Sequence, residues 1–476
     1  MEKYVYHRVF GKSLRHFYWM YLCAALVFAL ALPAQSVWGE NLMQVYKLAK
    51  EHDPTFKGDR YKHEASPEML KQAYSELWPK VTAEGYYQKT RQKIVESDVA
   101  IYSHGVSHFP TKGYTLTLTQ PLLRYSSIVR VYQAKEEVKR ADVEFEANKQ
   151  DLIMRVAEAY IEALSAQDKL IFDRAEETSV KLHFELAQRR YNMGLAPITD
   201  FHDAKARLAF VTVGRIKSEN KLEDALEGLT EVTGSKIKNL SRLKADITEI
   251  TVESKPESAK GGMSLVNPDP DDVDKWINAA LKQNLELDVQ RKAVEIARQE
   301  VKRQKTGHWP TLNAVGRYNR EDTGGSMFAG GSDVETQEAF LQLNVPLFEG
   351  FYVVSKTREA AKLYKAATQD LEKEIRAVKR ETYAVFRGVK SAITSVEAFK
   401  QSVVSNQIAL EAKKEGFKSG LFNSLAVLDA ESDLCLAKQE LAQSQYDYIL
   451  YSLGLKKAGG TLNDEDLVLI NQWLEE

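Results

Sequence analysis

Residues that could carry enzymatic or metal chemistry are few in this chain. His104 and His108 are four residues apart, but they lie in a loop that contains glycine and proline and offers no third ligand. The glycine-rich stretch GGSMFAGGS at 324–332 lacks the Gly-Lys-Ser/Thr of a phosphate-binding loop. The chain has no HExxH, GxSxG or paired CxxC motif. The sequence therefore predicts no catalytic residues, no metal site, no cofactor and no enzyme.

Charge and cysteine content narrow the choice of partners. The chain has 65 basic and 67 acidic residues and a formal net charge of −2, which gives no electrostatic reason to expect nucleic acid. Of the two cysteines, Cys23 lies in the N-terminal segment and Cys435 stands alone, so no disulfide framework is predicted.

The N-terminal 39 residues have the pattern of a signal peptide. Four basic residues precede a short apolar core at Tyr21–Leu32, and small residues follow near Gly39, which predicts cleavage before Glu40. Twelve apolar residues are too few to span a bilayer as a helix, although an uncleaved anchor is the alternative interpretation. No later stretch approaches twenty apolar residues, so any membrane-spanning part must consist of strands.

Long helices dominate the rest of the chain. There are 12 prolines and none follows Pro346. Leu122–Met193 and Phe351–Glu415 have helical periodicity, and the first of these contains no glycine or proline. Earlier helices are predicted at Asn41–Leu77, with interruptions near Pro54 and Pro67, and at Asp271–His308. Each of these two ends at a Trp-Pro pair, Trp78-Pro79 or Trp309-Pro310.

After each Trp-Pro pair the period of the pattern changes from 3.6 to 2, which indicates strands. Four strands of about 8–10 residues are predicted, and polar loops are expected at Thr90–Gly113 and Arg320–Glu338. Leucines alternate with threonine, glutamine or asparagine in the two returning strands, so each strand has one apolar face. The predicted strands are Val81–Lys89, Tyr114–Gln120, Leu312–Asn319 and Ala339–Val345.

The same unit occurs twice. Aligning Tyr191–Gly194 with Phe417–Gly420 also places Asp203-Ala204 on Asp429-Ala430. The predicted organisation is a signal peptide, a first repeat of helix, strands and helical hairpin, a linking segment, a second repeat and a C-terminal segment. Their bounds are 1–39, 40–234, 235–270, 271–460 and 461–476.

Four strands cannot close a barrel, and a lipid bilayer tolerates no open sheet edge. Strands from several chains would therefore have to form one barrel, with the polar helices projecting into water. Three chains would supply twelve strands. The alternative is a small soluble sheet that caps a periplasmic coiled coil.

From Glu40 onward, nearly the whole sequence resembles the TolC family of outer-membrane channel proteins. The resemblance rests on both Trp-Pro pairs and on five segments: Glu40–Tyr46, Leu195–Asp200, Val427–Ala430, Ala437–Ala442 and Gly460–Leu467. It implies a mostly helical fold, with long hairpins and four transmembrane strands per chain, completed in a homotrimer as a 12-stranded outer-membrane barrel and a periplasmic helical tunnel. The segments 235–270 and 461–476 would contribute to a collar around the tunnel.

The resemblance also implies functional positions near the hairpin tips. Two acidic residues three apart normally form rings at the periplasmic constriction, and here those positions are Ala426 and Asp429, so one ring is lost. Asp429 as an ordinary solvated helix residue is the alternative. The tips, Tyr191–Pro197 and Phe417–Asn423, would dock onto an adaptor through Gly194, Leu195, Gly420 and Leu421, although these glycines could simply end helices.

In relatives, Tyr and Arg of the second hairpin bond to Thr and Asp of the first and hold the tunnel shut. Thr199 and Asp200 are present here, but Phe417 and Phe422 occupy the partner positions and cannot form those bonds. We therefore expect apolar packing to hold the closed state.

The function that follows is an exit duct for a tripartite pump, exporting proteins by type I secretion, small molecules by efflux, or both. Its partners would be a periplasmic membrane-fusion adaptor, an inner-membrane ABC or RND transporter, and outer-membrane lipid. The lost acidic ring and bonds favour a dedicated protein-secretion system over multidrug efflux. The alternative function is a periplasmic coiled-coil adaptor or scaffold without a barrel.

Overall fold

The computed structural model describes residues 40–96, 105–237, 239–244, 265–325 and 330–474. The predicted signal peptide lies outside these ranges, and so does His104 of the histidine pair. The helices in the described ranges are α1 Leu42–His52, α2 Pro54–Ser75, α3 Tyr125–Asn192, α4 Ile198–Thr233, α5 Val273–Gln283, α6 Leu285–Lys305, α7 Tyr352–Lys418, α8 Ser424–Ala458 and α9 Asp464–Asn471. None of them combines the length and apolar character needed to cross a bilayer.

Each repeat opens with a helix that is broken once by a buried cap. Between α1 and α2, the carboxylate of Asp53 accepts the backbone N–H groups of Thr55 and Phe56 and pairs with Arg155 at 2.7 Å. Between α5 and α6, Asn284 accepts the N–H of Leu287 and donates its amide to the carbonyl of Ala458. The break before Pro54 was predicted, whereas the break at Asn284 was not.

The predicted interruption near Pro67 is wrong, because α2 continues through it. Pro67 is exposed, so water can bond to the carbonyl that the missing proline N–H leaves without its helical partner.

Two long antiparallel hairpins form the body of the chain. The first hairpin consists of α3, with 68 residues, and α4, with 36. The second consists of α7, with 67 residues, and α8, with 35. At 1.5 Å per residue, α3 and α7 are each about 100 Å long. Their predicted extents are correct to within three residues at each end.

The strands form one antiparallel sheet in the order β1-β2-β3-β4. They are β1 Lys80–Ile94, β2 Gly105–Leu123, β3 Thr311–Thr323 and β4 Ser332–Asn344. They have 15, 19, 13 and 13 residues, so the predicted length of 8–10 residues is wrong. Residues assigned to polar loops continue the ladder because cross-strand bonds such as Arg320–Asp333, at 2.7 Å, hold polar side chains on the sheet as well.

The strand register separates the residues of the sheet into two faces. Residues paired across neighbouring strands share a face, and faces alternate along each strand. One face, called the apolar face below, has exposed aliphatic side chains in the half of the sheet that adjoins the helices. They are Val81, Leu116, Leu118, Leu341 and Leu343. The opposite, polar face has Thr82, Thr115, Thr117, Asn319 and Glu338.

The largest core lies midway along the hairpins, where α1, α3, α8 and α9 meet. Tyr160 is fully buried there and donates to the carbonyl of Ser241 at 2.9 Å. Tyr446 donates to Asp168, which also binds Arg242. Aliphatic residues fill the space between them: Leu42, Val45, Leu152, Val156, Leu229, Ile449 and Leu467.

Candidate gate and docking surface

The two hairpin tips have the same backbone structure. The N–H of Leu195 donates to the carbonyl of Arg190 at 2.8 Å, and that of Leu421 donates to Gly416 at 2.7 Å. Gly194 and Gly420 have φ of 71° and 81° and donate to the carbonyls three residues earlier. This is the Schellman ending, in which a left-handed glycine closes the last helical turn. The repeat in the sequence thus corresponds to a repeated turn geometry.

Each tip places one leucine at its end. The side chains of Leu195 and Leu421 are 67% and 77% exposed. The next helix begins within three residues: α4 follows Pro197, and α8 follows Asn423, whose side chain accepts the N–H of Ala426 at 3.0 Å. The four predicted docking residues therefore lie at the extreme ends of the two hairpins, accessible in the single chain.

Asp429 lies on α8, two turns from the tip. It is exposed, whereas its neighbours Leu428 and Ala430 are buried, and Ala426 one turn earlier is partly exposed. Asp429 therefore points away from the contacts that α8 makes within the chain. Both predicted constriction residues are available to face a lumen or a second copy.

The structure places the four predicted closure residues in two separate groups. Thr199 and Asp200 are exposed in the first turn of α4, where the hydroxyl of Thr199 lies 3.5 Å from the carboxylate of Asp200. The ring of Phe422 lies on Gly416, where a β-carbon would clash with it.

Phe417 is partly buried on its own hairpin. It packs against the apolar cluster that joins α7 to α8, which includes Val403, Leu410, Val427, Ala430 and Leu434. Both phenylalanines thus make their contacts within the second hairpin of one chain.

Sequence reasoning missed a polar contact between the hairpins. Glu431 of α8 binds the ammonium group of Lys414 on α7 at 2.8 Å and accepts a hydrogen bond from the hydroxyl of Ser179 on α3. The imidazole of His183, one turn further along α3, lies 4.0 Å from the same carboxylate. We call these four residues the Glu431 cluster. Glu431 is charged and lies two residues from Asp429. In the sequence alone, such a position predicts a solvent-exposed residue of the helix.

The environment of the Glu431 cluster determines its ionisation. Burial alone would raise the pKa of Glu431, but the hydrogen bonds from Lys414 and Ser179 outweigh burial and lower that pKa below its usual value. Burial also lowers the pKa of His183, with Lys414 acting in the same direction and Glu431 against it. The cluster therefore contains an ionised carboxylate and a neutral imidazole near neutral pH.

Further polar bonds connect α3 to α8 away from the tip. Ser432 donates to Glu176 at 3.0 Å, and Ser165 donates to Gln443 at 2.9 Å. A small apolar cluster of Val180, Val211 and Leu428 lies near the Glu431 cluster. The hairpins of one chain are thus joined near the tip by alternating polar and apolar contacts.

Within the residues that the structure describes, no group of three or more His, Cys, Asp or Glu side chains is arranged to hold a metal ion. His108 lies on β2 opposite Arg91 of β1.

Two hairpins of about 100 Å joined to a four-stranded sheet can be compared with known proteins. The pattern of the family described as "Outer membrane efflux protein" matches residues 45–235 and 276–461. The chain belongs to this family.

Its relatives include outer-membrane and secretion proteins. Outer membrane protein TolC of Vibrio cholerae is 32% identical over 449 residues, covering 94% of this chain and 97% of that protein. Proteases secretion protein PrtF of Dickeya chrysanthemi is 26% identical, covering 94% of each. The crystal structure of the Campylobacter jejuni CmeC outer membrane channel shares the fold, with a TM-score of 0.74, 16% identity and coverage of 91% and 89%.

These findings confirm the predicted fold class and localisation. This member of the efflux protein family is an outer-membrane exit duct with its helical part in the periplasm. The channel interpretation is thereby confirmed over that of a periplasmic adaptor or scaffold. Among these similar proteins, CmeC is described as an outer membrane channel and PrtF as a protease secretion protein.

Proposed function

We propose that three copies of this chain form one 12-stranded barrel and one helical tunnel, and that this trimer is the final conduit of a tripartite export system. The observation that carries the proposal is the open sheet. In the described ranges β1 pairs only with β2 and β4 only with β3, so both outer strands have an unpaired edge. An unpaired edge is not tolerated in lipid, and four strands are too few to close on themselves.

The proposed trimer also accounts for the exposed surface of the sheet. Its apolar face would contact lipid and its polar face would line the water-filled interior, as in other membrane barrels. The repeat bounds 40–234 and 271–460 then correspond to two similar units per chain, joined by 235–270 and followed by 461–476. Six such units around one axis would surround the tunnel.

The tunnel constriction is proposed to include Asp429. Around a threefold axis, three Asp429 carboxylates would approach one another, repel, and attract cations. Ala426, one turn away, offers no charge, so a single acidic ring is expected. The exposure of Asp429 in the single chain supports this assignment.

We further propose that the closed state depends on Phe417 and Phe422 through apolar packing. Phe422 is 40% exposed after covering Gly416, so part of its ring remains available to a neighbouring copy. Thr199 and Asp200 have no complementary donor at these two positions. Closure of the tunnel by apolar packing requires only that the hairpin tips of neighbouring copies come into contact.

The tips are proposed to receive the partners. Leu195 and Leu421 would contact a periplasmic membrane-fusion adaptor, which in turn would bind an inner-membrane ABC or RND transporter. The similarity to a protease secretion protein supports cargo that includes polypeptides, and efflux of small molecules is the second candidate.

The test of the trimer is a mass measurement. The full chain would be expressed with its signal peptide, the inner and outer membranes separated, and the outer-membrane protein extracted in detergent and measured by light scattering. A particle of three chains is the expected result. A monomer or dimer that stays stable in detergent would refute a barrel built from the strands of three chains.

A further inference from the structure

A column of basic residues extends the apolar face of the sheet toward its far end. Lys89, Arg91 and Lys93 occupy alternate positions of β1, so their side chains share one face. The register assigns them to the apolar face, because they follow Val81, Ala83 and Tyr87 in the same alternation. All three are exposed. The intervening positions Gln88, Thr90 and Gln92 on the polar face are uncharged.

The column begins where the apolar surface ends. Leucines occupy the part of this face that adjoins the helices, and three tyrosines follow: Tyr114, Tyr318 and Tyr87. Tyrosine is typical of the membrane–water boundary, because its ring is apolar and its hydroxyl is polar. At about 3.4 Å per residue, Lys89 lies only about 7 Å along the strand beyond Tyr87. The basic column therefore starts at the level of lipid headgroups.

Two ion pairs hold four of the other charged side chains on this part of the face. Arg320 binds Asp333 at 2.7 Å, and Lys112 binds Asp322 at 2.9 Å. Lys89, Arg91 and Lys93 form no ion pair within the described residues. Their three positive charges are thus left facing outward at the edge of the membrane.

We propose that Lys89, Arg91 and Lys93 bind the phosphate groups of outer-leaflet lipids. Two arguments carry this: the column lies on the same face as the leucines, which the proposed barrel turns toward lipid, and its charge is opposite to that of a phosphorylated headgroup. Long basic side chains can keep their alkyl stems against the acyl region while their charged ends reach the headgroups. In a trimer the surface recurs three times, once at each β1 strand.

The competing occupant is the β4 strand of a neighbouring copy. Asp333 and Glu335 lie on the same face of β4, which would pair with β1 across the subunit boundary. Asp333 already binds Arg320, which leaves Glu335 as the main candidate to face the column. Three cations cannot all be neutralised by one carboxylate, so the lipid assignment is favoured.

The test compares the purified trimer with the variant K89Q/R91Q/K93Q. The control K373Q/K379Q/R380Q removes three exposed cations from α7 and leaves the sheet unchanged. Each protein is titrated in dodecyl maltoside micelles with lipid A, and separately with lipid A stripped of its phosphates. Bound lipid is counted by native mass spectrometry.

Each cation near an anionic lipid surface increases the binding affinity about five-fold. The triple variant should therefore bind phosphorylated lipid A on the order of 100-fold more weakly than wild type or control. Equal binding of phosphorylated lipid A by all three proteins would overturn the proposal. It would also be overturned if the wild type bound stripped lipid A as tightly as phosphorylated lipid A. Dissociation of the triple variant into single chains without any lipid would assign the column to the neighbouring β4 instead. The proposal rests on placement of the sheet in the outer membrane, and recovery of wild-type trimer from that fraction tests this separately.

Discussion

Substitution of Glu431 by alanine tests how the two hairpins of a chain are held together near the tip. The change removes the carboxylate that binds Lys414 of α7 and accepts from Ser179 of α3. It leaves the helix intact, because alanine has the highest helix propensity. We expect α8 to separate more readily from α3.

The magnitude follows from the burial of the contact. The Glu431 side chain is 18% exposed, so its bonds are only weakly screened, whereas Lys414 is 47% exposed and can be rehydrated once freed. A hydrogen bond to a charged group contributes about 1.5–3 kcal/mol, and rehydration of Lys414 moves the net loss toward the lower end, at about 2 kcal/mol. That corresponds to a roughly 30-fold increase in the population with separated hairpins.

The same contact should weaken in acid. The pKa of Glu431 is lowered in the folded chain, so its stabilisation is present above the unfolded value of 4.5 and is lost as the pH falls below it. The pKa of His183 is also lowered in the folded chain, so protonation favours separation as the pH falls below 6.5. Both groups act in one direction, and the wild-type tip should open as pH decreases from 7 to 4.

The assay is single-channel conductance of the trimer in planar bilayers. Glu431→Ala should raise the open fraction about 30-fold at pH 7 and flatten its pH dependence below pH 4.5. Glu415→Ala is the matched control, because Glu415 is 72% exposed and its ion pair with Lys418 should contribute little. An open fraction for Glu431→Ala equal to that of the control would refute the reasoning.

Two further predictions concern the proposed constriction. Phe422→Ser should raise conductance and antibiotic leakage by removing the ring from Gly416, whereas Leu421→Ser, at the exposed tip, should not; unchanged leakage in the first variant would exclude apolar closure. Asp429→Asn should reduce the cation preference measured by reversal potentials in a salt gradient, whereas the repeat-equivalent Asp203→Asn should leave it unchanged. Identical reversal potentials for the two variants would show that Asp429 does not line the pore.

Much of the fold could be predicted because it depends on local rules. Leu122–Met193 contains no residue that breaks a helix, and α3 ends at Asn192, two residues before Gly194, which adopts the left-handed conformation. The change from a period of 3.6 to 2 after each Trp-Pro pair correctly located all four strands. The lengths of the strands were underestimated because alternation of apolar residues is informative only where one face meets lipid or a core.

The errors in the helices that open the two repeats have a similar origin. Pro67 is compatible with a continuous helix because the chain there is exposed to solvent. Asn284 ends one helix and caps the next because its amide reaches the carbonyl of Ala458, more than 170 residues away. The local sequence pattern around Asn284 cannot predict a partner that is so distant along the chain.

The sequence by itself determined the repeated unit, the tip glycines and the alternation of the strands, since each is set by contacts between residues close along the chain. Only the tertiary structure decided which helices meet, and therefore that Glu431 binds α3 and α7 together while Asp429, two residues earlier, stays exposed. Both are acidic residues on the same helix, and their difference arises from the direction in which each faces. That direction has physical meaning only once the neighbouring hairpin is in place, because burial and ionic partners are properties of the packed structure.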